Sequence, residues 1–177
     1  SNENVDQTIK RLETFALASN GTQNKGVLVL GIEPEKEKYL SNIQDKLVKY
    51  RLTEEAVKGL AESDLPQNIK DNVELFKSES YSTIARLQFD LEIDDDEIDV
   101  ILPYFDKYAS FNSEYISMGK NELLAGDKLA KYLNLNVGDS IILLGQGTQS
   151  RSAAGIYLIK GISNETYQQF SNRILSL

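Results

Sequence analysis

Glu122-Leu-Leu-Ala-Gly126-Asp-Lys-Leu129-Ala130-Lys-Tyr-Leu133-Asn-Leu135-Asn-Val137-Gly138-Asp139-Ser-Ile-Ile-Leu-Leu144 changes its hydrophobic spacing twice, and with it the backbone it specifies. Leu123-Leu124-Ala125 is a short apolar run that predicts a strand. Leu129, Ala130 and Leu133 return at helical spacing behind Gly126-Asp127 and predict a helix with those side chains inward. Asn134 to Asp139 reads as a turn: Gly138 supplies a positive φ and Asp139 ties the turn to nearby N–H groups. Ser140 to Leu144 then predicts a buried strand.

Downstream, Gly145 to Gly155 reads as a glycine- and hydroxyl-rich hairpin loop, Ile156 to Ile162 as the returning strand, and residues 166–176 as a closing helix. Upstream, Gly26-Val-Leu-Val-Leu-Gly-Ile32 is apolar, bounded by glycine and too short for a helix, which fits a strand buried on both faces. Pro34 opens a helix that runs to about Lys49, since the first helical position tolerates a missing N–H. Val5, Ile9, Leu12 and Ala16 at helical spacing predict a further helix over roughly 4–18. The expected fold is therefore α+β: a small mixed sheet built from 26–32, 122–125, 140–145 and 156–162, flanked by helices.

Between these parts the texture changes. Thr53 and Pro66 each start a short helix, and Ile98, Ile101, Leu102, Phe105 and Tyr108 keep helical spacing with Pro103 inside it, where a kink or restart is expected. Leu87, Phe89, Leu91 and Ile93 alternate with polar residues, so Arg86 to Ile93 is expected to be a strand. Residues 50–118 thus read as an inserted, mostly helical acidic lobe, residues 1–49 as the first part of a core, and 119–177 as its β-rich remainder.

The chain has 177 residues, 19 Lys+Arg against 27 Asp+Glu, and neither His nor Cys. Those two absences exclude a Ser-His-Asp triad, a cysteine nucleophile, a His/Cys zinc site and haem or iron–sulfur ligation through these residues. A formal net charge of −8 argues against a nucleic-acid partner, because a phosphate backbone needs a Lys/Arg footprint. No apolar run approaches the roughly 20 residues that span a bilayer. Ser1-Asn2 reads as a scar left by tag cleavage, and if it is one the chain is expected to be an excised piece of a longer protein.

Two stretches invite a ligand. Gly145, Gly147 and Gly155, with Arg151 between them, could cradle a phosphate, but the spacing matches no nucleotide motif and a strand follows where a helix should. Asp94, Asp95 and Asp96 lie in the acidic run Asp90–Asp99, whose alternating oxygens suit calcium. The glycine and the terminal glutamate of a calcium loop are both missing, and a solvated helix start explains the charge as well. A pair of carboxylates converging in one cleft would support a hydrolase, and the acidic run a calcium-binding interaction module. These remain the alternatives, and no cofactor or metal is expected.

Three segments together resemble one family. Val27-Leu-Val-Leu-Gly31-Ile32-Glu33-Pro34-Glu35-Lys-Glu37, then Glu122 to Asp139, then Leu144-Gly-Gln-Gly147 with Ser152 to Ile162, are similar in order and spacing to the MacB-like periplasmic core domain of FtsX-like ABC-transporter permeases of the lipoprotein-releasing and macrolide-exporter types. The resemblance covers roughly residues 26–48 and 119–162. It implies a domain at the inner (cytoplasmic) membrane, facing the periplasm or extracellular side, that carries no chemistry and passes on movement driven by a cytoplasmic ATPase subunit. It also implies a permease protomer partner, as in a dimer, and a periplasmic partner or lipoprotein substrate. Pro34, Gly138 and Asp139 are then structural residues. The lobe 50–118 and the tail Ser163–Leu177 depart from the family pattern, as a truncated or rearranged chain would.

Overall fold

In the computed structural model, which describes residues 11–146, 152–164 and 173–176, the apolar runs are the staves of a barrel. In chain order, strands β1 (Leu12–Ser19) and β2 (Asn24–Gly31) precede helix α1 (Pro34–Ser41) and a 3-10 turn (Ile43–Lys46). The lobe follows: β3 (Tyr50–Arg51), α2 (Glu54–Ala61), α3 (Gln67–Leu75), β4 (Ser80–Tyr81), α4 (Ile84–Leu91) and α5 (Ile98–Tyr108). Last come β5 (Glu122–Gly126), α6 (Asp127–Tyr132), β6 (Ser140–Gln146), β7 (Ser152–Ser163) and β8 (Arg173–Ser176).

Around the barrel the order is β1-β2-β8-β5-β7-β6, with β6 returning to β1. β2–β8 and β5–β7 are parallel and the other pairs antiparallel, so the fold is mixed α+β and all four expected strands take part. Ala18, Val27, Leu123, Ala125, Ile141, Leu143 and Ile159 are buried together with Leu129 and Ala130 of α6 and with Leu133 just after it. Each large aliphatic side chain so buried is worth about 1.5–3 kcal/mol. Outside, Leu30 and Leu124 are covered by Ile32, Ile43, Leu47 and Ile116. The wall made by β1, β6 and β7 has no such cover among the described residues: Phe15, Leu17, Ile142, Leu144, Ile156 and Leu158 are exposed.

Four of the expected helices and strands need correction. Residues 12–19 are a strand, not part of a helix over 4–18; β1 pairs with β2 from Leu12↔Gly31 to Ser19↔Asn24, and the rest of that expected helix precedes the described residues. Phe15 and Leu17 are apolar on the outer face while small Ala16 and Ala18 face inward, so the period-2 signal is hidden. Residues 86–91 belong to α4, where Leu87 and Leu91 are buried one turn apart and Phe89 is 76% exposed; Thr83 caps the helix by accepting from Arg86 N. Of the expected closing helix, Arg173–Ser176 is strand β8 and residues 166–172 lie outside the described residues. The helix expected to reach Lys49 stops at Ser41, because Asn42 takes a left-handed φ of 48°. Pro103 sits inside α5, which runs through it without restarting. No described helix is long and apolar enough to cross a membrane.

Fifteen buried residues between Tyr50 and Ala109, with Leu52, Leu60, Ile69, Leu87, Leu91 and Phe105 fully enclosed, form a separate hydrophobic cluster in the lobe. Tyr50 donates to Asp106 Oδ1 at 2.6 Å, and burial together with that carboxylate pushes its pKa up to about 12. Burial, aided by the charges of Glu37 and Glu35, also pushes Tyr115 up to about 12. Burial raises Tyr81 as well, whose hydroxyl has no hydrogen-bond partner among the described residues. A raised tyrosine keeps its proton in the folded chain after the unfolded chain, with a pKa of about 10, has lost it. Stability from these groups is therefore intact below pH about 10 and falls as pH rises towards 12. A phenolate absorbance titration is expected to show the phenolates of Tyr50, Tyr81 and Tyr115 appearing only with loss of fold. A single wave near pH 10 with circular dichroism unchanged would contradict this.

Candidate functional site

The lobe meets the barrel at a buried polar junction. The two-residue ladder β3–β4 sets Arg51 directly opposite Ser80, and directly opposed residues point to the same face. That face meets the first residue of α6, Asp127, which is 8% exposed. Ser80 Oγ donates to Asp127 Oδ1 at 2.7 Å, and Lys131 Nζ lies 2.7 Å from Oδ2, one helical turn along. Arg51 Nη2 is 3.9 Å from Oδ1, an ion pair beyond hydrogen-bond range, and its guanidinium lies over the Phe111 ring at 5.5 Å. Asn164, just past β7, donates from Nδ2 to the Ser80 carbonyl at 2.7 Å.

Backbone bonds reinforce this junction on both sides. Val48 N donates to Ile162 O and Glu114 N to Lys160 O, while Ser113 Oγ both accepts from Ile162 N and donates to Ile162 O. The chain thus leaves the barrel at residue 48 and returns at residue 113 along the same strand, β7. A cleft of about 550 Å³ opens beside the junction, with Arg51, Thr53, Glu54, Glu55, Lys131 and Asn136 in its wall. Ser80 Oγ gives its proton to a carboxylate already held by Lys131 and is itself buried, so this serine is a tie between parts and not a presented nucleophile.

The residues singled out in the sequence fall elsewhere. Pro34 opens α1, is buried, and its carbonyl accepts from Tyr115 Oη at 3.2 Å. Gly138 has φ +92°, its N–H donates to Ile159 O, and Asp139 Oδ2 accepts from Asn136 N at 2.7 Å. Ile159 N donates back to Asp139 O, so this turn is clamped onto β7, with the roles assigned to both residues. Asp94, Asp95 and Asp96 are exposed between α4 and α5, where Asp95 accepts from Gln88 Nε2 at 3.2 Å. Among the described residues no three acids converge as a metal cage requires.

The expected loop 145–155 is mostly strand. Gly145 pairs with Ala153 and Gly155 with Leu143, so both lie in the β6–β7 ladder and neither can cradle an anion as a loop residue. Gly147 and Arg151 lie outside the described residues. Arg51, Ser80 and Glu37 escaped sequence reasoning. Glu37 is fully buried and held by both ends of the Arg11 guanidinium, whose pKa it raises. A charged residue inside Tyr50-Arg-Leu52, between side chains bound for a core, was the one available signal for Arg51.

No family model and no curated protein matches the chain.

Proposed function

We propose that the chain is the extracytoplasmic core domain of an FtsX-like ABC permease, a mechanical element that carries ATP-driven movement from the membrane part to a periplasmic partner or lipoprotein substrate. The observation that supports this reading is how the resembling and departing segments are joined. Residues 26–48 and 119–162 contribute β2, α1, β5, α6, β6 and β7, the greater part of the barrel wall and its flanking helices. Residues 50–109 form the lobe with its own core. The two are linked by the Asp127–Ser80–Lys131 cluster and the bonds along β7, so a displacement of α6 or β7 reaches the β3–β4 ladder without slack. Packed interiors transmit strain in this way because they compress little.

The reading requires the lobe to lie outside the cytoplasmic membrane. In cells making the natural protein, a cysteine placed at exposed Asp95 should react with a membrane-impermeant thiol reagent while the membrane is intact. Labelling only after lysis would overturn the reading.

A further inference from the structure

We propose that the cleft beside the lobe–barrel junction binds a small zwitterion of the amino-acid kind, with its carboxylate on Arg51 and its cationic group towards Glu54 and Glu55. The Arg51 side chain is 9% exposed, yet its guanidinium makes no hydrogen bond with any described residue. Its nearest carboxylate oxygen, Asp127 Oδ1, is 3.9 Å away and already accepts from Ser80. Among the described residues Tyr81 Oη is the one buried side-chain polar atom without a partner, so the free N–H donors of Arg51 stay open to solvent in the cleft, where an acceptor can reach them. The acceptor that best meets a planar fork is a carboxylate, taken by two parallel bonds.

The charge distribution in the cleft selects what else the ligand carries. Arg51 is a buried member of the wall, and Lys131, itself engaged with Asp127, adds positive potential near it. Glu54 and Glu55 are exposed members of the same wall. A phosphate dianion would meet two glutamates on its way to Arg51, and a plain carboxylate would leave them unanswered. A molecule with both signs a few bonds apart satisfies the two ends, and Thr53 and Asn136 offer neutral polar groups between. About 550 Å³ lies within the range of small-molecule sites, roughly 300–1,000 Å³.

The test is a calorimetric titration of the intact chain with L-arginine, with agmatine (which lacks the carboxylate) and with acetate (which lacks the cation). L-arginine should bind in the millimolar range, about −4 kcal/mol, and the two fragments about tenfold more weakly. Arg51→Lys keeps the charge but loses the fork, and should weaken L-arginine about tenfold. The exposed pair Glu54→Gln/Glu55→Gln should weaken L-arginine and leave acetate unchanged, and it supplies the test if Arg51→Lys does not fold. The proposal fails if agmatine binds as tightly as L-arginine, if either variant binds L-arginine like the parent chain, or if L-arginine gives no heat.

Discussion

Asp127→Ala is expected to lower the stability of the chain by about 3 kcal/mol, the low end of what removing one partner of a buried ion pair costs. The substitution takes the acceptor from Ser80 Oγ, the counter-charge from Lys131 and, among the described residues, the carboxylate nearest Arg51. Lys131 is partly exposed and can turn to water, and the Arg51 contact is long, which is why the upper end is not expected. Asp127→Asn keeps an acceptor for Ser80 and loses only the charge, so it should fall between the two, at about 1–2 kcal/mol. Urea unfolding with a common slope measures both. An Asp127→Ala chain within 1 kcal/mol of the parent would mean that the junction does not bind the lobe to the barrel.

Gly161→Ala is expected to cost about 2–4 kcal/mol, through overpacking against backbone. In the β5–β7 ladder Leu123 pairs with Ile159 and Leu124 with Gly161, leaving Lys160 as the extra residue of a bulge. The returning segment at residues 113–114 lies directly on that bulge. A Cβ at position 161 would sit 2.5 Å from Glu114 O and 2.9 Å from Leu124 Cδ2. That oxygen is main chain, in a residue whose N–H is bonded to Lys160 O, and cannot swing aside like a side-chain tip. Gly26 provides the contrast, since a Cβ there meets nothing within 4 Å. Gly26→Ala should therefore change stability by less than about 1 kcal/mol. Equal midpoints for the two variants in thermal or urea melts would refute the close-approach argument.

What the sequence made legible follows from where contrast existed. The runs 26–32, 140–144 and 156–162 stand out because long apolar stretches between glycines have few structural options, and Gly138-Asp139 because its chemistry is local. β1 was unreadable as a strand for the opposite reason. Its outer face carries Phe15 and Leu17, apolar but uncovered among the described residues, so inside and outside do not differ in polarity. In α4 the alternation of Leu87, Phe89 and Leu91 is real, but Phe89 faces water, and burial alone decides between the two periods. The junction was invisible because Arg51, Ser80 and Asp127 lie far apart in the chain and come together only when α6 meets the β3–β4 ladder. Nothing in the local pattern of any one of them announces the other two.

The place of β8 in the barrel carries a consequence for the order of assembly. It lies between β2 and β5, pairing residues 28–31 with 173–176, whereas the lobe cluster draws only on residues 50–109. On a growing chain the lobe can condense first, from contacts close in sequence. The barrel must wait for its last stave, holding the facing edges of β2 and β5 unpaired meanwhile. Closing such distant contacts is slow, on the order of milliseconds to seconds for non-local β folds. During that interval two open strand edges are the surface most prone to pair with a neighbouring chain, so synthesis rate and crowding should govern the yield of native protein more than its final stability does.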